Sequence, residues 1–302
     1  MFDEHKTINE LNEAFGTGEN ILFQEGAGGL TKAVINNRAG RAEVYLFGGL
    51  VTHFAESGRY PLLWTSRDAI YDGKKAIRGG IPICWPWFGD HEHDTSLPAH
   101  GFARTRHWDV QAAHHDSANE KTDLVLSLKS DDLTRQMFPH DFRLELSVGV
   151  SHSLTLELTI HNTGVNAFVC ATALHTYLAV ANIDDIRIAG LENVQYIDKL
   201  DQQSIKREQD PLSIDCEVDR MYFDIENDVT VQSPERTITV ARSGSQSTVV
   251  WNPWIEKSKR MSDFPNNGFR EMLCVETANV ANDTRTIAPG QSHLITQTIS
   301  AH

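Results

Sequence analysis

A histidine and a glutamate, far apart in the chain, each stand in strand-like surroundings. His175 lies within Ala173-Leu174-His175-Thr176-Tyr177-Leu178, and Glu276 within Leu273-Cys274-Val275-Glu276-Thr277-Ala278. β-Branched, aromatic and apolar neighbours of this kind favour strands. An imidazole and a carboxyl that meet can give and take protons in one step, which is general acid–base chemistry. Alone, a strand histidine is more often a satisfied structural residue than a catalyst. A glutamate between Cys274 and Thr277 is harder to explain structurally.

Two cations invite a second question. Arg78 and Arg104 sit beside apolar residues, where a lone arginine is costly to bury. Each needs a partner, either a protein carboxylate or a bound anion, and the planar guanidinium suits phosphate oxygens. Arg104 closes the run Leu97-Pro98-Ala99-His100-Gly101-Phe102-Ala103-Arg104. There Gly101 permits close backbone approach, and His100 beside it reads first as a loop histidine.

Upstream, Ile77-Arg78-Gly79-Gly80-Ile81-Pro82-Ile83-Cys84-Trp85-Pro86-Trp87-Phe88-Gly89 cannot hold a regular ladder, because each proline removes a donor. It is either a hydrophobic plug at one end of a sandwich or the stiff aromatic wall of a pocket suited to sugars. His91-Glu92-His93-Asp94 resembles a metal-ligand cluster, but Thr95-Ser96-Leu97-Pro98 supplies no further ligand, so an exposed acidic loop is expected. The remaining histidines are scattered and nothing demands zinc. There is no G-x-S-x-G elbow, and Cys84 and Cys274 stand among apolar residues that raise rather than lower a thiol pKa.

The elements that must position these groups follow from the period of the pattern. Residues 7–15 read as a short helix, with Thr7 and Glu10 at capping-box spacing and Ile8, Leu11 and Phe15 on one face. From Ile21 the period becomes two. Strands are expected at 21–25, 31–36, 42–46, 53–56, 122–129, 142–150, 153–162, 169–180, 186–189, 229–233, 237–242, 248–251, 272–278 and 292–300. Segments 142–150 and 153–162 form the clearest hairpin, with leucines alternating against polar residues. Only 130–137 and 255–261 add helical signals. This is an all-β reading: a large antiparallel β-sandwich with a few short helices, 1–302 as one domain with 1–20 as a short N-terminal helical extension.

Composition narrows the function. The chain has 302 residues, 40% hydrophobic and 23% charged, near the globular average. Apolar runs fall far short of the ~18 residues of a membrane span, and the acidic N-terminal stretch has no apolar signal core, so a cytoplasmic protein is expected. Its four cysteines show no CxxC spacing and read as buried free thiols. A net charge of −14 disfavours nucleic acid and anionic membrane as partners. An anionic ligand therefore needs cations gathered locally.

Taken together, the block from Gly79 to Gly89, Pro98 to Arg104, Ala173 to Tyr177, Val218-Asp219-Arg220-Met221-Tyr222, Val250-Trp251-Asn252-Pro253-Trp254 and Cys274-Val275-Glu276 resemble the aldose 1-epimerase (mutarotase) family. More narrowly, they are similar to its glucose-6-phosphate 1-epimerase branch. The resemblance spans residues 30–298. It implies a galactose mutarotase-like supersandwich with His175 and Glu276 facing each other across an open cleft. It also implies Arg78 and Arg104 on the substrate phosphate, and His100 and Asp219 on sugar hydroxyls. Trp251 and Trp254 are wall residues at most.

The chemistry implied is interconversion of anomers by ring opening and closure, with Glu276 as carboxylate taking the hydroxyl proton and protonated His175 serving the ring oxygen. No cofactor or metal is called for. The partner is a small-molecule hexose 6-phosphate, with no nucleic acid and no membrane, and the chain is expected to be a monomer. Two rivals stand beside this reading. A non-catalytic sugar-phosphate-binding sandwich would not need both His175 and Glu276. A glycoside-processing enzyme would need two carboxylates, and only Glu276 and the more distant Asp219 are on offer.

Overall fold

Alternation of apolar and polar side chains becomes alternation of buried and exposed ones in a computed structural model of the chain, which describes residues 5–302. Residues 1–4 of the expected N-terminal extension lie outside the described residues. In the hairpin Phe142–Val150 and Leu154–Asn162, Phe142 pairs with Asn162 and Val150 with Leu154. Leu144, Leu146, Val148, Leu154, Leu156, Leu158 and Ile160 are fully buried. Each such side chain contributes about 1.5–3 kcal/mol by leaving water.

Two eight-stranded sheets dominate. The first runs, edge to edge, Arg187–Ala189, Val229–Gln232, Thr237–Ser243, Ser292–Ala301, Leu154–Asn162, Phe142–Val150, Lys121–Lys129 and Asp109–Asp116. The second, which carries the chemistry, runs Ser204–Arg207, Gln195–Asp198, Val218–Phe223, Ser247–Asn252, Met272–Asn279, Thr172–Leu174 and Ile83–Cys84, with Tyr177–Ala179 also paired to Met272–Asn279. A four-stranded sheet is built from Ile21–Glu25, Thr31–Asn36, Gly40–Tyr45 and Leu50–Glu56, and Phe168–Cys170 pairs with Arg285–Ile287. The strand pairings are antiparallel, and one core of buried residues runs from Leu11 to Ile299. The all-β sandwich expectation is met.

The short helices are Ile8–Phe15, Asp132–Met137 and Trp254–Arg260. The first carries the reciprocal Thr7/Glu10 capping box that its spacing predicts. Among the described residues no helix is long and apolar enough to cross a membrane.

Two expectations need correction. Segment 169–180 is not one strand but three, Phe168–Cys170, Thr172–Leu174 and Tyr177–Ala179. The breaks arise where backbone groups turn to other partners: Ala171 N–H donates to Pro86 O, His175 N–H to Pro82 O and Thr176 N–H to Leu174 O. Strands Asp109–Asp116, Gln195–Asp198, Ser204–Arg207 and Val218–Phe223 were not read from the pattern, because their charged residues blur a period of two. Sequence spacing nevertheless anticipated the backbone approach at Gly101. Its φ is +70°, and an added Cβ would lie 2.0 Å from Trp85 O, which only glycine tolerates.

Candidate active site

Strand register brings the histidine and the glutamate together. Leu174 pairs with Thr277 and Tyr177 with Cys274, so His175, in the two-residue break between strands Thr172–Leu174 and Tyr177–Ala179, comes opposite Glu276 of the neighbouring strand. Directly opposed residues have Cβ atoms ~4.5–5.5 Å apart, close enough for side chains to touch. His175 Nδ1 lies 3.3 Å from Glu276 Oε1. The pair therefore sits side by side on one sheet, not face to face across a cleft as the resemblance implies.

The surroundings hold the two residues still. The Tyr177 ring stacks on the imidazole, with centroids 4.9 Å apart and planes at 7°. Behind the pair, Gln297 of the opposite sheet accepts from Thr176 Oγ1 at 2.5 Å and donates to Thr277 Oγ1 at 2.9 Å. It thus ties together the residues that follow His175 and Glu276. Gln297 is fully buried, and such a satisfied polar bridge between layers fixes a single arrangement. Sequence reasoning missed it, since one glutamine in an alternating strand gives no signal.

His175 is 7% and Glu276 1% exposed. His175 Nδ1 and Glu276 Oε2 have no hydrogen-bond partner among the described residues. Orphaned buried polar atoms are rare, and a ligand is one reason to keep them. Burial pushes the Glu276 carboxyl well above its usual range, and the nearby Asp219 carboxylate adds to the shift. Burial also pushes His175 well down, with His100, Arg104 and Arg78 acting in the same direction. Both shifts favour the uncharged forms, a protonated carboxyl and a neutral imidazole. They run against the charged pair expected from the sequence, because desolvation penalises both charged forms.

Cations gather around the pair, but not as expected. Arg78 already has protein partners: Asp263 Oδ2 accepts from Nε at 3.2 Å and lies 3.1 Å from Nη2, and the Tyr177 hydroxyl accepts from Nη1 at 3.1 Å. Of the two partners its sequence allowed, a carboxylate is present. Arg78 thereby braces the tyrosine that stacks on His175. Arg104 differs, since its Nη2 donates to Ala99 O at 2.7 Å and it pairs with no carboxylate among the described residues. Arg106 is spent on Asp131, and Lys74 and Lys75 are exposed on a turn capped by Asp72.

Two lysines escaped the sequence reading. Lys199 Nζ lies 3.3 Å from Asp219 Oδ2 and 5.7 Å from the centre of the Phe88 ring. Lys257 Nζ sits 3.1 Å from Glu217 and 5.7 Å from the centre of the Trp251 ring. Both add to the positive field on His100, which burial first, then Arg104 and these lysines with Arg78, hold down to about 2. Neutral His100 accepts from the Gly89 N–H at 3.3 Å, and its ring lies edge-on to His175 with centroids 5.8 Å apart. Asp219, on Val218–Phe223, is register-paired with Trp251. Trp251 in turn meets His175 edge-on at 6.2 Å.

The proline and tryptophan block serves both of its readings at different residues. Trp85 is fully buried among Phe102, Phe138, Phe142 and Phe168, which makes it a plug. Phe88 is only half-buried, against His100 and Lys199, and walls the site. His91, Glu92, His93 and Asp94 form a loop whose side chains cap its own turns. A groove of roughly 560 Å³ lined by Leu62, Val180, Val231, Ile238 and Arg236 contains neither member of the titratable pair and is not the candidate site.

Fold and site together define an antiparallel β-sandwich with an imidazole, in the break between two short strands, beside a carboxyl on the neighbouring strand of the same sheet. Residues 32–300 match the family model described as aldose 1-epimerase. The chain is 37% identical over 276 residues to "Putative glucose-6-phosphate 1-epimerase" of Cenchrus ciliaris, covering 87% of this chain and 82% of that protein. A crystal structure of "a putative mutarotase (YeaD) from Salmonella typhimurium" superposes with a TM-score of 0.88 at 29% identity, covering 95% of each chain. A galactose mutarotase-like protein from Clostridium acetobutylicum shares the fold, with a TM-score of 0.73 at 13% identity over 94% of this chain and 99% of the other. The chain belongs to the aldose 1-epimerase family.

Proposed function

We propose that the chain interconverts the α and β anomers of hexose 6-phosphates, glucose 6-phosphate foremost, with His175 and Glu276 as its acid–base pair. One observation carries this: a buried imidazole and carboxyl 3.3 Å apart, with an orphaned oxygen, next to an arginine that no carboxylate among the described residues neutralises. Family membership and the names of the relatives support the reaction and the phosphorylated substrate.

The pair begins with one proton on Glu276 and one on His175 Nε2. A substrate phosphate beside Arg104 offsets one of the cations that depress His175, and the anomeric hydroxyl donates to a Glu276 oxygen. Both changes favour passing the proton to His175 Nδ1. The other ring nitrogen, Nε2, then donates its proton to the ring oxygen while Glu276 takes the proton of the anomeric hydroxyl. The bond from C1 to the ring oxygen breaks with its electron pair on that oxygen, leaving an open-chain aldehyde. Rotation about C1–C2 and the reverse transfers close the other anomer. Acid–base groups of this kind contribute about 10²–10⁴-fold each, ample for a reaction that runs unaided in water.

The phosphate selects the substrate by local contact in a protein of net charge −14. Arg104 is the principal cation in this reading. Arg78, with a guanidinium of five donors and Asp263 offsetting its charge, adds a weaker contact through the N–H groups it has left. In this reading His100 and Asp219 meet sugar hydroxyls, and Phe88 and Trp251 cover apolar ring faces. The mechanism needs no second copy of the chain. The test is exchange between the anomeric proton signals of glucose 6-phosphate by NMR. Acceleration above the buffer rate supports the reading, and exchange at the buffer rate overturns it.

A further inference from the structure

Away from the catalytic sheet, three side chains from distant parts of the sequence converge on one spot. His5 lies two residues before the capping Thr7 of helix Ile8–Phe15. His107 and Asp109 stand at alternate positions where the chain enters strand Asp109–Asp116. One ligand atom from each lies within 4.8 Å of the others. The two imidazoles are stacked with centroids 3.7 Å apart, and His5 Nδ1 is 3.5 Å from Asp109 Oδ1. They line a pocket of about 230 Å³ together with Lys6, Leu11, Leu46, Val110 and Gln111.

We propose that His5, His107 and Asp109 form a binding site for a divalent first-row metal ion of the zinc type, separate from the catalytic pair. The donor set is the first reason. Two imidazoles and a carboxylate are three protein ligands for a zinc ion that keeps an open fourth position. Spacing is the second. Zinc–nitrogen and zinc–oxygen bonds of ~2.0–2.2 Å place tetrahedral ligand atoms about 3.3–3.5 Å apart. The His5–Asp109 distance is already 3.5 Å, and the other ligand atoms lie within 4.8 Å of one another.

The third reason is that no hydrogen bond among the described residues joins these side chains, although two nitrogen donors and a carboxylate face one another within 4.8 Å. The backbone beneath is firm: His107 bridges to Phe47, and Trp108 N–H donates to Leu46 O at 2.8 Å. Lys6 on the same pocket opposes a cation, and its exposed flexible stem can swing its charge into water. A bound ion would clip the segment before the first helix onto the sheet edge. A search for closely spaced ligands could not find the site, because His5 and His107 are separated by most of the first third of the chain.

The test uses the full chain free of any affinity tag, with zinc or cobalt ions as probe. Competition against a chromophoric chelator should show one zinc equivalent held at micromolar concentration. That equivalent should disappear in His5→Ala, in Asp109→Asn and in His107→Ala, and persist in His91→Ala. His5→Ala and Asp109→Asn change exposed side chains, so loss of fold does not confuse the result. Cobalt should give visible d–d bands without a thiolate charge-transfer band. Such a band would place the ion instead at the buried His175, Cys274 and Glu276 cluster and overturn the proposal. Absence of binding, or binding unchanged in His5→Ala and Asp109→Asn, would also overturn it.

Discussion

Replacing Glu276 by glutamine removes one proton-transfer group and almost nothing else. The side chain is 1% exposed, and glutamine has its shape. The loss should be the whole contribution of that group, about 10²–10⁴-fold, or roughly 3–5 kcal/mol on the barrier at 1.36 kcal/mol per tenfold. Stability should move the other way or not at all, because burial and Asp219 already hold Glu276 toward its neutral form. The melting temperature should stay within the ~2–4 °C that 1 kcal/mol produces in a large domain. The assay is NMR exchange between the two anomeric protons of glucose 6-phosphate, with the buffer rate subtracted, since the reaction also runs uncatalysed. His175→Asn should show a similar loss, and the double variant little more than either, as groups acting as a unit are not additive. A Glu276→Gln enzyme that keeps its rate within about threefold while remaining folded would refute the acid–base assignment, because a true proton donor should cost at least the ~10² of its class.

Three further outcomes are expected. Arg104→Ala should raise KM for glucose 6-phosphate about 10–100-fold, the worth of a charge-assisted hydrogen bond at ~1.5–3 kcal/mol, and leave free glucose nearly untouched; equal losses on both sugars would remove its phosphate role. Trp85→Ala should destabilise by about 3–5 kcal/mol in denaturant melts, since the ring is fully buried among four phenylalanines, and a cost below ~1 kcal/mol would contradict the plug. His100 is held down to about 2 when folded against about 6.5 unfolded, so below that unfolded value the unfolded chain binds a proton the folded chain refuses. Its contribution is complete above pH ~6.5 and is lost as pH falls toward ~2; His100→Gln should therefore reduce the acid-side slope of melting temperature against pH, and an unchanged slope would show that His100 is not held neutral.

Much of the architecture was legible because a period of two is a local property. The hairpin 142–162 and the strands at 21–25, 31–36, 237–242 and 272–278 follow from which side chains must leave water, and the capping box at Thr7 and Glu10 from spacing alone. Strands at the edges, such as Ser204–Arg207, carry little apolar alternation, so burial could not mark them in advance. Within the candidate site, His175, Glu276, Arg104 and His100 were readable as unusual residues in strand or glycine contexts, whereas Asp219 came only with the family resemblance, its strand not having been read from the pattern.

The sequence by itself determined an all-β chain, a strand-borne imidazole and carboxyl, and arginines in need of partners. Only the tertiary structure decided who those partners were. Strand register set His175 beside Glu276 on one sheet, where the resemblance implied a face-to-face pair. Asp263 claimed Arg78 and left Arg104 without a carboxylate partner among the described residues, while Lys199 and Lys257 arrived from loops and a helix with no local signature. Burial then shifted both members of the pair toward their uncharged forms. These are long-range facts: charge, desolvation and register depend on distances between strands, which no stretch of sequence contains until the chain has folded.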